Sequence, residues 1–310
     1  MDFIRCVPLG SKTVSNRAHP QRLLGRDRPV RLSPVALSRA GLSALHRTGS
    51  TWVWRRSGRV LGLAVARRRS GARSWELSGL FLRADDQGDL RELLDRVSQT
   101  AASFGAERVF LRLRAHDPLI DSVRAAGYYP RFGEVLCRDG FRLPVTEAGA
   151  HTPDPVGRRV RPATPADQID LFRLYCAATP SEVRHVVGMS FDQWRASREE
   201  CGGRRPELVL EGDSGLEAWL LAAKRGRVGL MEAMARPGDD PALAQLVNAG
   251  VKTLANVASR FFLVTEYQEH LGAVLERMGL RHHGEYVTLV RSLAIPVKDK
   301  APVRVMTTSG

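Results

Sequence analysis

The segment RVFLRLRAHDPLIDSVRAAG, residues 108–127, returns later in the chain with the same pattern as RFFLVTEYQEHLGAVLERMG, residues 260–279. Each copy starts as a short apolar strand, continues as an amphipathic helix and stops at a glycine, where helices often end. The two copies are 152 residues apart, and the same offset aligns Leu94 with Leu246 in the preceding helices. A common offset over three elements indicates a duplicated domain, since its period far exceeds that of a solenoid repeat.

Each copy belongs to a longer and similar order of elements. From Val30, and again from Val160, the pattern predicts strand, helix, hairpin, strand, helix, strand, helix, strand. The second copy has an additional helix, SFDQWRASREE at residues 190–200, with Ser190 as its N-cap. The sequence therefore predicts an α/β (α+β) protein with two domains, each a mixed, mostly antiparallel sheet flanked by helices.

The domain boundaries follow from composition. The first residues are polar and basic without periodicity, and a Pro-, Gly- and Thr-containing segment separates the two copies. We assign a basic flexible tail to residues 1–29, domain 1 to 30–143, a linker to 144–157, domain 2 to 158–297 and a second tail to 298–310.

The net charge of +14 is concentrated at one end of the chain. Residues 1–73 contain fifteen arginines and Lys12 but only two acidic residues, Asp2 and Asp27, whereas the remainder is neutral. A basic surface attracts nucleic acid, acidic protein or phosphate-bearing molecules. We therefore expect an anionic partner for this region, although no aromatic-interleaved RNA motif accompanies it.

Cysteine usage and hydropathy indicate a cytoplasmic protein. Four cysteines are scattered without CxxC spacing, which predicts reduced thiols and neither a zinc site nor a disulfide framework. No apolar run approaches the length of a membrane span, so we expect no membrane partner.

The element order, with RVRPATPADQIDLFRL at 159–174 and DPLIDSVRAAGYY at 117–129, resembles the GCN5-related N-acetyltransferase (GNAT) family. The resemblance covers about 30–143 and 158–297 and implies a tandem GNAT protein. In this family the fourth strand splays from the fifth, the acyl-CoA thioester lies in the gap, and the pyrophosphate binds backbone N–H groups at the next helix start. It therefore implies acetyl-CoA or another acyl-CoA as co-substrate, no metal, and a small-molecule or protein amine as acceptor.

The family's pyrophosphate motif, Arg/Gln-x-x-Gly-x-Gly/Ala, is degenerate in both copies. One of its three positions matches in each copy, at Gly88 and at Ala242. The first copy has Asp85 where the family has Arg or Gln, and we expect Asp85 or Asp86 to cap the helix and compete with a bound pyrophosphate. The resemblance implies backbone contacts to the cofactor at Leu82, Gly88, Asp89, Leu90, Ala235 and Ala242.

The resemblance also indicates candidate catalytic residues. The family's acid, a tyrosine four residues before the helix-ending glycine, is replaced here by Val123 and Leu275. Glu76 falls where several family members carry a glutamate on the fourth strand, and Glu232 is its candidate counterpart as general base. A side-chain amide often follows the family's fifth strand, and Tyr267 lies near that place, where it offers an acid by another route.

Three functions agree with these features. One is an acyl-CoA-dependent N-acyltransferase with one working domain, and the second is a catalytically silent GNAT-fold protein with a binding or regulatory role. The third is a nucleic-acid-associated protein that uses the basic residues 1–73. The association of the fold with acyl transfer favours the first, but the site has to decide, because one fold supports many functions.

Overall fold

The computed structural model describes residues 2–5, 49–56, 59–82, 90–139, 158–199, 205–225, 227–236 and 240–293. The strands are β1 (Asp2–Arg5), β2 (Gly49–Arg56), β3 (Arg59–Arg68), β4 (Ser74–Leu82), β5 (Arg108–Arg114), β6 (Tyr129–Asp139), β7 (Arg159–Pro162), β8 (Glu207–Gly212), β9 (Gly215–Arg225), β10 (Val228–Ala235), β11 (Ser259–Thr265) and β12 (Leu280–Ser292). The helices are α1 (Leu90–Ser103), α2 (Ile120–Ala125), α3 (Gln168–Ala178), α4 (Ser181–Val187), α5 (Phe191–Ser197), α6 (Asp240–Thr253) and α7 (Glu269–Arg277). The first helix predicted for domain 1 and the linker at 144–157 lie outside the described residues.

All the described strands join one sheet, in the order β1-β2-β3-β4-β5-β12-β6-β11-β10-β9-β8-β7. The described pairs are antiparallel except β4–β5 and β10–β11, which are parallel. This confirms the predicted fold class of a mixed, mostly antiparallel α/β protein. At one end of the sheet β1 pairs with the outer edge of β2. The tail predicted for residues 1–29 therefore includes a strand, which pairs with backbone groups of β2 that would otherwise be open.

The two halves exchange their last strands. β6, from the first half, pairs with β11 of the second, whereas β12 pairs with β5 of the first. Two backbone hydrogen bonds accompany the exchange, from Ala115 N–H to Glu285 O (3.0 Å) and from Glu266 N–H to Gly133 O (2.9 Å). Because β6 and β12 also pair with each other at the centre, each half relies on the other to complete its sheet.

A long helix covers one face of the sheet in each half, and the two helices are equivalent. In α1, Leu90, Leu93 and Leu94 are buried, and α6 buries Leu243, Leu246 and Val247 with the same spacing. This pattern corrects the predicted alignment by one residue, since it matches Leu93 rather than Leu94 with Leu246. A helix can shift by a residue against the strands because loops absorb small differences in length.

The opposite face of the second half carries α3, α4 and α5. Alternate residues of β9 define the two faces, since Leu220 packs in the core with α6 whereas Trp219 and Leu221 pack in the core with α3. As predicted, Ser190 is the N-cap of α5, and its hydroxyl accepts a hydrogen bond from the backbone N–H of Gln193 (3.3 Å).

Arg161 and Asp167 fix the segment that leads into α3. Two hydrogen bonds of 2.8 Å join the Arg161 guanidinium to the Asp167 carboxylate, which also accepts from the backbone N–H of Thr164 (2.7 Å). The Arg161 guanidinium, with the Thr164 groups, holds the pKa of Asp167 well below its ordinary value despite partial desolvation. The start of α3 is therefore tied to β7 by a charged hydrogen-bond cluster.

Candidate active site

The sheet opens at its two parallel strand pairs. β10 and β11 pair from Val228 as far as Glu232, which lies opposite Leu263, and the rest of β10 continues beside β9 alone. β4 and β5 separate earlier, after the pair of Glu76 and Phe110. Where parallel strands part in this way, the backbone groups on their inner edges face a wedge instead of a neighbouring strand.

The wedge between β10 and β11 opens into a cavity of about 130 Å³. This volume is close to the cavity of about 150 Å³ that holds benzene in an engineered protein, so it admits a small molecule. Trp194 of α5 forms part of its wall. Both halves contribute to the lining, which includes Phe132 and Glu134 from the first and Tyr175, Trp219, Leu221 and Met234 from the second.

Two of the three predicted catalytic residues, Glu232 and Tyr267, line this cavity together. Glu232 is the last residue of β10 that pairs with β11, so it lies where the wedge begins. The pKa of Tyr267 is raised to about 12, mainly by burial. The negative charges of Glu134 and Glu232 also raise this pKa, whereas hydrogen bonds with Thr265 and Thr179 lower it. The phenol therefore keeps its proton at neutral pH and is a donor in this cavity.

Gln268 bridges the wedge with its side-chain amide. Its Oε1 accepts a hydrogen bond from Ala235 N–H (3.0 Å), and its Nε2 donates to the carbonyl oxygen of Ala178 (2.8 Å). The residue is 2% exposed, and it joins the end of β10 to the end of α3. Sequence reasoning missed it, although the family's amide after the fifth strand was a signal that pointed to this place, directly after Tyr267.

An ion-pair network connects the cavity to the first half. We define it as the six side chains Arg67, Arg69, Glu76, Arg112, Glu134 and Glu199. The Arg112 guanidinium donates to Glu134 from both Nε and Nη2, with 2.6 Å between Nη2 and Oε1. The carboxylate of Glu199 accepts from Arg112 Nη2 (3.0 Å) and from Arg69 Nη2 (3.1 Å). From the exchanged strand β12, Thr288 Oγ1 donates to Glu134 (2.7 Å).

Arg112, at the centre of this network, stays charged. Burial alone would lower the pKa of Arg112, but the charge and hydrogen bonds of Glu134 outweigh it and raise this pKa, and Glu232 adds to the effect. Arg112 and Glu134 are therefore a buried ion pair that lies across the exchanged strands and within electrostatic reach of Glu232. Sequence reasoning missed both residues.

The third predicted catalytic residue, Glu76, occupies a different environment. It is 3% exposed and held between the guanidiniums of Arg67 (2.6 Å) and Arg69 (3.2 Å). Glu76 lies opposite Phe110, the third residue of β5, whereas Glu232 lies opposite Leu263, the fifth residue of β11. The two glutamates are thus not at equivalent points, and proton transfer to Glu76 would disrupt two ion pairs.

The positions predicted to contact a cofactor through their backbone end or begin elements beside the two wedges. Leu82 ends β4 and Ala235 ends β10, while Leu90 begins α1 and Ala242 lies in the first turn of α6. Their side chains are buried, and the N–H of Ala235 is bonded to Gln268. Gly88 and Asp89 lie outside the described residues, as do Asp85 and Asp86, so their predicted roles stay predictions.

Within the described ranges, no three His, Cys, Asp or Glu side chains are grouped so that they could hold a metal ion. Cys137 and Cys176 are free thiols there. None of the helices described above has both the length and the apolar character needed to cross a membrane.

No protein-family model matches the sequence, and no curated protein matches it significantly. Solved structures do match the fold. A GCN5-related N-acetyltransferase from Sphaerobacter thermophilus matches with a TM-score of 0.53 and 16% identity, over 86% of this chain and 87% of that one. A tandem GNAT protein from the clavulanic acid biosynthesis pathway matches with a TM-score of 0.52 and 15% identity, over 79% and 82%. A functionally unknown conserved protein from Staphylococcus epidermidis matches with a TM-score of 0.50 and 9% identity, over 71% and 85%.

The class of fold follows from these matches and from the opened sheet. The protein has the mixed α/β fold of the N-acetyltransferases, with helices on both faces of a sheet that parts between parallel strands. More specifically, this is the GCN5-related N-acetyltransferase fold, which confirms the resemblance found in the sequence. At these identities the likeness establishes the fold, and the activity has to be argued from the site.

Proposed function

We propose that the protein is a GNAT-like N-acyltransferase that moves an acyl group from acyl-CoA to an amine acceptor in the cavity of its second half. The observation that carries this proposal is that the wedge between β10 and β11 opens onto a cavity that both Glu232 and Tyr267 line. A carboxylate and a protonated phenol are the base and the acid that acyl transfer to an amine requires. The shared fold of the solved N-acetyltransferases supports this reaction class.

The wedge suits an extended acyl-CoA chain because it has a backbone donor on its inner edge. The N–H of Ala235 binds an amide oxygen, that of Gln268, and an amide oxygen of acyl-CoA is the same kind of acceptor. We therefore assign the inner edge of β10 near Ala235 to hold the acyl-CoA chain. When bound, acyl-CoA supplies the activated acyl group and a thiol leaving group.

Glu232 and Tyr267 divide the proton transfers between them. An amine enters as an ammonium ion and loses a proton before its nitrogen attacks the acyl carbon, and the Glu232 carboxylate accepts that proton. As the C–N bond forms and the C–S bond breaks, Tyr267 Oη donates its proton to the sulfur. The nitrogen loses its second proton to the Tyr267 oxygen, which restores the phenol and leaves an amide. The raised pKa of Tyr267, about 12, keeps the phenol protonated at neutral pH, so a donor is present beside the sulfur.

A second candidate is a catalytically silent binding or regulatory protein, and Gln268 favours it. The amide of Gln268 already satisfies Ala235 N–H, so the protein supplies internally what the acyl-CoA chain would bring. On this candidate the bridge from Ala235 to Ala178 is permanent, and the cavity serves only to bind a small molecule.

Acetyl transfer measured by thiol release tests the proposal with three variants. Glu232→Gln and Tyr267→Phe should each lower kcat by about 100-fold or more, as loss of a general base or acid does. Tyr128→Phe is the matched control, because Tyr128 is also buried, has a pKa raised to about 12 by burial and bonds Ser98, outside the cavity lining. It should keep full activity while losing a similar amount of stability.

The outcomes separate the candidates. If the wild type binds acetyl-CoA, a concentration about 100 times Kd should stabilise it by about 2.7 kcal/mol. Lack of both stabilisation and thiol release would favour the silent protein. Transfer activity that survives both cavity variants would place the reaction elsewhere in the chain.

A further inference from the structure

The charges around the cavity balance, and they lie on two sides of it. The ion-pair network contains three arginines and three glutamates, and within the described residues the other cavity charges are Arg198, Arg205 and Glu232. Glu207 stands beside the two arginines, 2.6 Å from Arg198 and 3.8 Å from Arg205. The Arg198 side therefore has two guanidiniums for one carboxylate, whereas Glu232 adds a carboxylate on the other side.

Strand register sets the distance between these two sides. Glu207 on β8 lies opposite Leu221 on β9, and Leu221 lies opposite Glu232 on β10. Neighbouring strands are about 4.8 Å apart, so the backbones at Glu207 and Glu232 are roughly 10 Å apart on the same face. Leu221, which is buried, forms an apolar floor between them.

Arg198 is held in a fixed orientation on its side of the cavity. Its guanidinium lies 5.1 Å from the ring centre of Trp219 and 5.5 Å from that of Trp194. Glu207 accepts from both Arg198 Nη2 (2.6 Å) and Trp219 Nε1 (2.9 Å). A planar guanidinium restrained by rings and an ion pair is preorganised to bind a carboxylate with its remaining donors.

We propose that the amine acceptor is a small amino acid, bound as a zwitterion with its carboxylate on Arg198 and Arg205 and its amine at Glu232. The role of the amine rests on the proposed function, whereas the carboxylate site rests on the arginines. A zwitterion leaves the net charge of the cavity unchanged, while a simple amine or a simple acid would add a net charge to a partly buried site, which is unfavourable. The carboxylate oxygen and the amine nitrogen of an amino acid are three bonds and roughly 3.5 Å apart, and a charge-assisted hydrogen bond of about 2.8 Å at each end makes a span of roughly 9 Å. This span is comparable to the spacing of roughly 10 Å between the backbones of Glu207 and Glu232.

The first test compares ligands on the wild-type protein and needs neither variants nor acyl-CoA. Calorimetry with the standard amino acids identifies the best binder, which is then compared with its carboxamide and its decarboxylated amine. Both derivatives should bind at least about tenfold more weakly, because a charged hydrogen bond is worth more than a neutral one. Equal binding of acid and amide, or no saturable binding of any amino acid, would overturn the proposal.

Variants place the carboxylate on the two arginines. Arg198→Gln and Arg205→Gln should each raise the KM of the amino acid by about tenfold, leave kcat nearly unchanged and reduce the preference for acid over amide. Arg195→Gln is the matched control, since Arg195 lies in the last turn of α5 just before Arg198, has a side chain that is 62% exposed and is not among the cavity-lining residues. An acid preference that survives both variants would overturn the assignment.

The two proposals fail in different ways. If no amine is acylated but the acid still binds more tightly than its amide, the proposed function is wrong and the amino-acid site stands. If amines without a carboxylate are acylated as efficiently as amino acids, the transfer function stands and the amino-acid site is wrong.

Discussion

Replacing Gln268 with alanine should lower the stability of the free protein and raise its affinity for acetyl-CoA. The substitution removes two buried hydrogen bonds and leaves the N–H of Ala235 and the carbonyl of Ala178 without this partner. A buried backbone group that loses its partner costs about 1–3 kcal/mol, so the loss of both partners should lower the free energy of unfolding by about 2–6 kcal/mol.

The gain in affinity has the same origin. In the wild type, acetyl-CoA must displace the Gln268 amide before it bonds Ala235 N–H, at a cost of about one net hydrogen bond, or 0.5–1.5 kcal/mol. The variant avoids this cost, so Kd should fall by about threefold to tenfold. Calorimetric titration measures Kd, and urea unfolding measures the stability.

Gln193→Ala is the matched control, because the Gln193 side chain also accepts a backbone hydrogen bond, from Met189 N–H (3.1 Å), but outside the cavity lining. It should change stability by less and leave Kd unchanged. A Gln268 variant whose affinity falls together with its stability would refute the displacement argument, since Gln268 would then support the bound state.

Three further predictions follow from the fold and the charges. Arg161 holds the pKa of Asp167 low, so the Asp167 carboxylate stabilises the folded state above an unfolded pKa of about 3.9, and this contribution disappears as pH falls through the folded pKa. Asp167→Asn should therefore lower the free energy of unfolding by about 2 kcal/mol at neutral pH and flatten the acid limb of a curve of stability against pH. An acid limb that is unchanged in the variant would contradict the role of the ion pair. Because β6 and β12 are exchanged, both halves should unfold in one calorimetric transition, and two separate transitions would contradict the exchange. Glu134→Gln should lower the midpoint of that transition, because it removes a charged partner of the buried Arg112 at a cost of about 3–5 kcal/mol. The basic residues 1–73 should retain the protein on heparin with a steep salt dependence, whereas elution at low salt would argue against an anionic partner.

The features that could be predicted from sequence are local ones. The burial of Leu90, Leu93 and Leu94 follows from helical spacing, and the N-cap of α5 follows from Ser190 before an amphipathic run. Glu232 is a candidate because the resemblance places a glutamate on the fourth strand, and Tyr267 is one because it lies near the place of a side-chain amide after the fifth strand. Because parallel neighbours bring such residues together, these two line one cavity.

The features that sequence reasoning missed depend on which strands become neighbours. Thr288 bonds Glu134 across 154 positions of sequence, and nothing in an alternating apolar pattern indicates that β12 joins β5. The predicted equivalence of Glu76 and Glu232 is wrong for a related reason: the position of a residue along a strand pair depends on the register of pairing, which composition does not reveal. The two partners of Gln268 are backbone groups of β10 and α3, so the only signal in the sequence that points to it is the family's side-chain amide after the fifth strand.

Hydrogen exchange with and without acetyl-CoA tests most directly the claim that the second half is the site of acyl transfer. The account predicts slower amide exchange in peptides covering residues 233–236 and 265–272, where the wedge binds the chain, and no change in residues 77–82 at the opening of the first half. Protection confined to residues 77–82, or no protection anywhere at saturating acetyl-CoA, would contradict it.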